Sequence, residues 1–140
     1  MLMELFCDWF EGSFHNREQT YADPRSARYV MARHERSAEN EFYCSYYYNR
    51  AKFPYREMLF KINSLDGDVH LTDSHGKKLI FVKDGSSFIA NVDYRHKGKL
   101  YVFDAVLGKN RYRVNDRCYD GEDLVRGLES ESWFEFKKVV

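Results

Sequence analysis

Turn signals recur through much of this chain, at Asp66-Gly67, His75-Gly76, Asp84-Gly85, Lys97-Gly98, Gly108-Lys109-Asn110 and Asp120-Gly121. Their intervals lie close to the roughly 8–12 residues that separate tight turns in a set of short antiparallel strands. Between the turns, apolar residues alternate with period two. Ser87–Tyr94 puts Phe88, Ala90, Val92 and Tyr94 on one face, with Ser87, Asn91 and Asp93 on the other. Leu100–Val106 is apolar on both faces except at Asp104. Arg28–His34, Glu41–Tyr48, Arg56–Asn63 and Trp133–Val139 read as strands as well, so the pattern predicts about eight or nine strands in all. With no second helical layer to cover such a sheet, the expected solution is closure on itself, which removes exposed edges. Small closed barrels hold one small ligand inside.

The amino terminus departs from this pattern. Leu2, Leu5, Phe6, Trp9 and Phe10 are spaced as one face of a short helix, which Gly12 ends. At 140 residues the chain is expected to form a single domain spanning 1–140. Lysines and arginines equal aspartates and glutamates in number, giving a formal net charge of zero. A protein that tracks a phosphate backbone usually carries a basic excess, so the reading is no nucleic-acid partner.

Cys7, Cys44 and Cys118 are odd in number and widely spaced, which implies neither a disulfide framework nor a zinc site. The first residues are acidic where a signal peptide would be basic. No apolar run approaches the roughly 20 residues of a membrane span. The expectation is a soluble, cytoplasmic protein of a reducing compartment, without membrane insertion.

Seven of the fifteen residues in Phe42–Arg56 are aromatic, and the stretch closes on Pro54-Tyr55-Arg56. Rings supply flat contact area, phenols supply hydrogen bonds, and arginines hold anions. Together they suit a flat, conjugated, anionic ligand. Phe42, Cys44, Tyr46 and Tyr48 share one face of their strand, and Tyr43, Ser45 and Tyr47 the other. One set lines the interior while the other lies outside or against a partner. In the next strand, Arg56 shares the apolar face of Met58, Phe60 and Ile62. Either Arg56 reaches solvent from the strand end, or it stands at the mouth of an apolar cavity, placed to receive a carboxylate bidentately.

Other chemistries find little footing. There is no Gly-x-Ser-x-Gly elbow, Walker-type loop or His-Glu-x-x-His motif. His70 and His75, near Asp66, Asp68 and Asp73, straddle a predicted hairpin, and Gly67 breaks calcium-loop spacing. A solvated turn is the reading there, with no metal. Cys44 sits mid-strand beside aromatics as a small buried hydrophobe, and Cys7 and Cys118 have no evident activating partner. The chain offers no nucleophile of its own.

Three segments in order carry a family likeness. The first is Trp9-Phe10-Glu11-Gly12-Ser13-Phe14-His15-Asn16-Arg17-Glu18-Gln19. The second is Pro24 with Arg28-Tyr29-Val30, an aromatic strand and Pro54-Tyr55-Arg56. The third is Arg126-Gly127 with Trp133-Phe134-Glu135-Phe136. Together they resemble the T-type phycobiliprotein lyases, the CpcT/CpeT family, over nearly the whole chain. The resemblance implies a lipocalin-like (calycin) antiparallel β-barrel, often dimeric. It also implies an activity, attachment of a linear tetrapyrrole, phycoerythrobilin being favoured, to a cysteine of a phycobiliprotein β-subunit. A bilin carrier or chaperone without transfer is the alternative.

Carried over by position, Tyr55 and Arg56 contact the bilin, Arg56 on a propionate. Tyr46 and Tyr48 are further bilin-binding candidates. Asn16 and Gln19 either bond the ligand or hold the first strand to its neighbours. Arg28 and Arg126 are further propionate candidates, and Asp93 or Asp104 is a candidate acceptor for the pyrrole N–H groups. The chain departs from the family where an acidic-amide pair gives way to Cys44-Ser45-Tyr46-Tyr47-Tyr48, and where later cysteines give way to Ser86 or Ser87 and Tyr101. It is also short, with tight loops, which suits a compact cyanophage-type member.

Overall fold

The computed structural model describes residues 2–25, 28–127 and 133–139. Helix α1 (Leu2–Phe10) leads into strand β1 (Gly12–His15) and a short helix α2 (Arg17–Ala22). Strands β2 (Val30–Ala38), β3 (Glu41–Tyr48), β4 (Arg56–Leu65) and β5 (Asp68–Thr72) follow, then β6 (Lys78–Asp84), β7 (Ser87–His96), β8 (Lys99–Leu107) and β9 (Arg111–Asp120). Strands β10 (Asp123–Arg126) and β11 (Phe134–Lys138) complete the described part. Every pairing is antiparallel.

Strand β9 closes the sheet. One of its edges pairs with β8 along its length, and the other pairs with β11 near its start and β10 near its end. Ten of the eleven described strands therefore form a ring, and β10 is a flap folded back on β9. The all-β class with a short amino-terminal helix agrees with the sequence reading. The strand number does not: eleven stand where about eight or nine were expected. The additions β1 and β10 are four residues each, too short to show a period. The strand read as Arg28–His34 is shifted to Val30–Ala38, leaving Arg28 and Tyr29 before it.

One end of the barrel is plugged. Helix α1 buries Phe6, Cys7 and Phe10. Phe6 packs against Phe81 and Phe88, while Phe10 meets Phe42 and Tyr112. Each fully buried phenylalanine contributes roughly 1.5–3 kcal/mol. Gly12 allows the reversal from helix to strand at φ 137°, a backbone region that side chains disfavour.

A polar bond fixes the plug as well. His34 of β2, fully buried, donates its Nδ1–H to the Phe10 carbonyl at 2.9 Å and stacks on the Phe10 ring at 4.1 Å. That tautomer leaves Nε2 to accept from the Tyr46 hydroxyl at 3.4 Å. Burial holds His34 down to about pKa 4, opposed by the Phe10 hydrogen bond, so the ring is neutral.

Candidate functional site

The open end of the barrel carries the start of β2, the end of β3, the start of β4 and the end of β9, as the registers Val30↔Tyr48 and Tyr46↔Arg56 require. Below this mouth lies a cavity of about 530 Å³, within the range that holds a drug-sized ligand. Met58, Phe103, Val114, Phe134 and Phe136 supply apolar wall. Tyr46, Tyr48 and Tyr55 supply rings with phenol groups, and Arg28, Arg56, Asp116 and Arg126 supply charge.

The strand parity of β4 brings Arg56 inside. Phe60 and Ile62 are buried on the same face, and the Arg56 guanidinium meets Asp116 of β9 with Nη2 to Oδ2 at 2.6 Å. The second Asp116 oxygen lies 3.3 Å from Arg126 of the flap. One carboxylate thus bridges two arginines from opposite sides. Burial works against the Arg56 charge, but Asp116 together with Tyr46 and Tyr55 outweighs that effect and raises its pKa. The guanidinium is a permanent cation within a largely apolar enclosure.

Gly127 explains how the flap comes so near. Its φ is +94°, and a Cβ there would sit 2.6 Å from the Asp116 carbonyl oxygen. Only glycine lets the end of β10 press on β9 at this point. The Arg126-Gly127 pair therefore works as a unit, with glycine making the approach and arginine reaching the carboxylate.

The tyrosines form a stack at the mouth. Tyr48 lies on Tyr55 with centroids 4.1 Å apart and planes 14° from parallel. Arg28 covers Tyr48 at 5.1 Å, and Tyr46 stands 6.5 Å from Tyr55. Burial pushes the Tyr46 and Tyr55 phenols up, so both are protonated donors near neutral pH. A second stack lies across the mouth, where Tyr94 of β7 and Tyr101 of β8 are parallel at 5.0 Å under the Lys77 ammonium.

Six of the residues singled out from the sequence come together on the cavity wall: Arg28, Tyr46, Tyr48, Tyr55, Arg56 and Arg126. Four do not. Asn16 is buried, accepts from Val30 N–H at 2.8 Å and donates to the Arg28 carbonyl at 2.7 Å. Gln19 donates to the Trp133 carbonyl and accepts from Glu135 N–H at 3.1 Å. Both amides hold neighbouring segments together, the second of the two roles open to them. Asp93 is exposed. Asp104 shares the outer face of the barrel with Asn91 and Asn115 and pairs with Arg117.

The carboxylate that does face the cavity, Asp116, escaped the sequence reading. Its signal lay in the strand between the Gly108-Lys109-Asn110 and Asp120-Gly121 turns. There Tyr112, Val114 and Cys118, all buried, alternate with exposed Arg111 and Arg113. Asp116 is the one acid on that apolar face before the strand ends at Asp120.

Among the described residues no group of three or more histidines, cysteines and acids is placed to hold a metal ion. All three cysteines are free and buried. Burial drives the Cys44 and Cys7 thiols up, away from nucleophilic character. No described helix is long and apolar enough to cross a membrane.

No family model matches the chain, and no curated protein sequence matches it. Solved structures do. The structure of the T-type phycobiliprotein lyase CpeT from Prochlorococcus phage P-HM1 superposes with a TM-score of 0.85 at 27% identity, covering 99% of this chain and 98% of that one. The selenomethionine form of the CRL protein of Arabidopsis superposes with a TM-score of 0.80 at 15% identity, covering 99% of this chain and 97% of that one. At that identity the second likeness concerns the fold. The first bears out the family resemblance read from the sequence.

Proposed function

We propose that this chain, a bilin lyase with the fold of the T-type phycobiliprotein lyases, binds phycoerythrobilin or a close relative in its barrel and delivers it to a cysteine of a phycobiliprotein β-subunit. The observation that carries the reading is the Arg56–Asp116–Arg126 constellation set in an aromatic cavity open at one end. A linear tetrapyrrole is flat and conjugated, and it bears two propionates and a row of pyrrole nitrogens. Arginines matched to carboxylates and a carboxylate matched to N–H groups complement that inventory.

On this reading Arg56 takes a propionate, with Arg28 or Arg126 near the second. Engagement of the arginines by propionates frees Asp116 to accept from pyrrole N–H groups, the role the sequence reading gave to Asp93 or Asp104. The Tyr48–Tyr55 stack supplies a flat wall, and Tyr46 a donor. Catalysis then consists of holding the bilin and exposing its reactive end at the mouth. The nucleophilic thiol belongs to the acceptor, in keeping with buried, unactivated cysteines here.

The protein works in the cytoplasm, as one bilin-binding unit per chain. It pairs as a homodimer, for which the exposed Ile80 and Val82 beside Ile89 on the outer wall offer an apolar face.

Co-expression with bilin synthesis enzymes and a β-subunit tests the reading. The expected result is a pigment on the β-subunit that survives denaturing electrophoresis and is lost when the acceptor cysteine is replaced. Pigment retained by this protein with no adduct on any β-subunit would make it a carrier instead.

A further inference from the structure

The zero net charge conceals a segregation. The turns β3–β4, β5–β6 and β7–β8 all lie at the open end of the barrel, the first beside the Tyr48–Tyr55 stack and the last beside the Tyr94–Tyr101 stack. They bring Arg50, Lys52 and Lys97 to the surface, and the adjoining strand ends add Lys78 and Arg95 against a single acid, Glu57, all exposed. The one acid in these turns, Asp73, is occupied, its Oδ1 accepting from the N–H groups of His75 and Lys77 at 2.9 Å each. At the plugged end, β2–β3 and β4–β5 carry Glu39 and Asp66, although β8–β9 there carries Lys109. The basic surface is thus an arc of the rim, bounded by the acidic β9–β10 turn with Asp120, Glu122 and Asp123.

Two features of this arc bear on its use. Phe53, between Lys52 and Pro54, is 81% exposed at the rim. Aromatic rings and arginines are enriched at protein interfaces, and Phe53 lies three residues from Arg50. Further, Arg50 has φ 63° and Lys97 φ 50°. Such left-handed positions suit glycine, asparagine or aspartate, and other residues there cost about 1–2 kcal/mol. The matching turn at the plugged end uses Asp66, at φ 53°, followed by Gly67. At the mouth, cations occupy positions where conformation alone would favour a different residue.

We infer that the basic arc around Arg50, Lys52, Phe53 and Lys97 docks an acidic protein surface over the barrel mouth. This rests on the lyase reading, because an acceptor must sit at the mouth for the ligand to pass to it. The arc lies where cargo leaves, and its acidic neighbour on the rim gives the docked partner a direction. Attraction of this kind acts mainly on the rate of encounter and fades with salt.

Arg50→Asp and Lys97→Asp test it cleanly, since aspartate reverses the charge and is better suited to both backbone positions. The probe is an apo β-subunit of net negative charge, with Phe53→Ala as an independent variant. The double aspartate variant is expected to melt no lower than the parent and to bind bilin unchanged, yet to associate with the β-subunit at least about tenfold more slowly at low salt. Its residual association is expected to lose salt dependence. Phe53→Ala is expected to raise the dissociation rate.

Parent-like association and salt dependence in the double variant would overturn the inference while leaving the lyase reading intact. So would binding of single-stranded RNA that the same variants abolish, with acceptor association unchanged. Failure of the parent to bind bilin at all would instead overturn the lyase reading.

Discussion

Arg56 is held by a single carboxylate that it shares with Arg126, and the shared carboxylate faces the ligand cavity. Replacing Arg56 by alanine removes the cation best placed for a propionate. Bilin affinity is expected to fall by about 1.5–3 kcal/mol, the scale of a hydrogen bond to a charged group. Equilibrium titration of a folded Arg56→Ala variant measures this, and unchanged affinity would remove Arg56 from the binding site. Arg56 was legible in the sequence because period-two alternation put it on the face of Met58, Phe60 and Ile62. The same alternation marks Asp116. However, its strand mixes charges on the outside with rings and thiol on the inside, so no apolar run draws notice to it. Asn16 and Gln19 share a motif with the family, but a motif preserves residue type without saying whether a side chain binds ligand or backbone. Here both bind backbone.

Between elements, the junction of α1 with β2 has a titratable point. His34 has its ordinary pKa near 6.5 when unfolded and about 4 when folded, because burial opposes the charged ring. The unfolded chain therefore binds more protons between these values, and stability falls as pH drops from about 6.5 to 4. The fall attributable to His34 is expected to reach about 3 kcal/mol. Denaturant unfolding across that range measures it, and His34→Gln is expected to flatten the slope. A slope unchanged in the variant would place the sensitivity elsewhere. The helix and the long strands were readable because each repeats its period several times. Strand β1, helix α2 and flap β10 span only four, six and four residues. Strand β1 is defined by its pairing with β2 and distant β11, and β10 by its irregular fold-back on β9, where local pattern gives no period.

At the scale of the molecule, the barrel is a cup, with one end closed by aromatic packing and the other rimmed by cations. Turn spacing anticipated closure, since a sheet without a covering layer has few other ways to lose its edges. The charge segregation was hidden, because net charge sums over both ends and only the topology assigns each turn to one of them. The central claim is that the cup holds a linear tetrapyrrole, and absorbance titration with several bilins tests it most directly. A saturable spectral change with phycoerythrobilin or a close relative, weakened in Arg56→Ala, is the result expected. A flat titration with every linear tetrapyrrole, from protein shown to be folded, would contradict it.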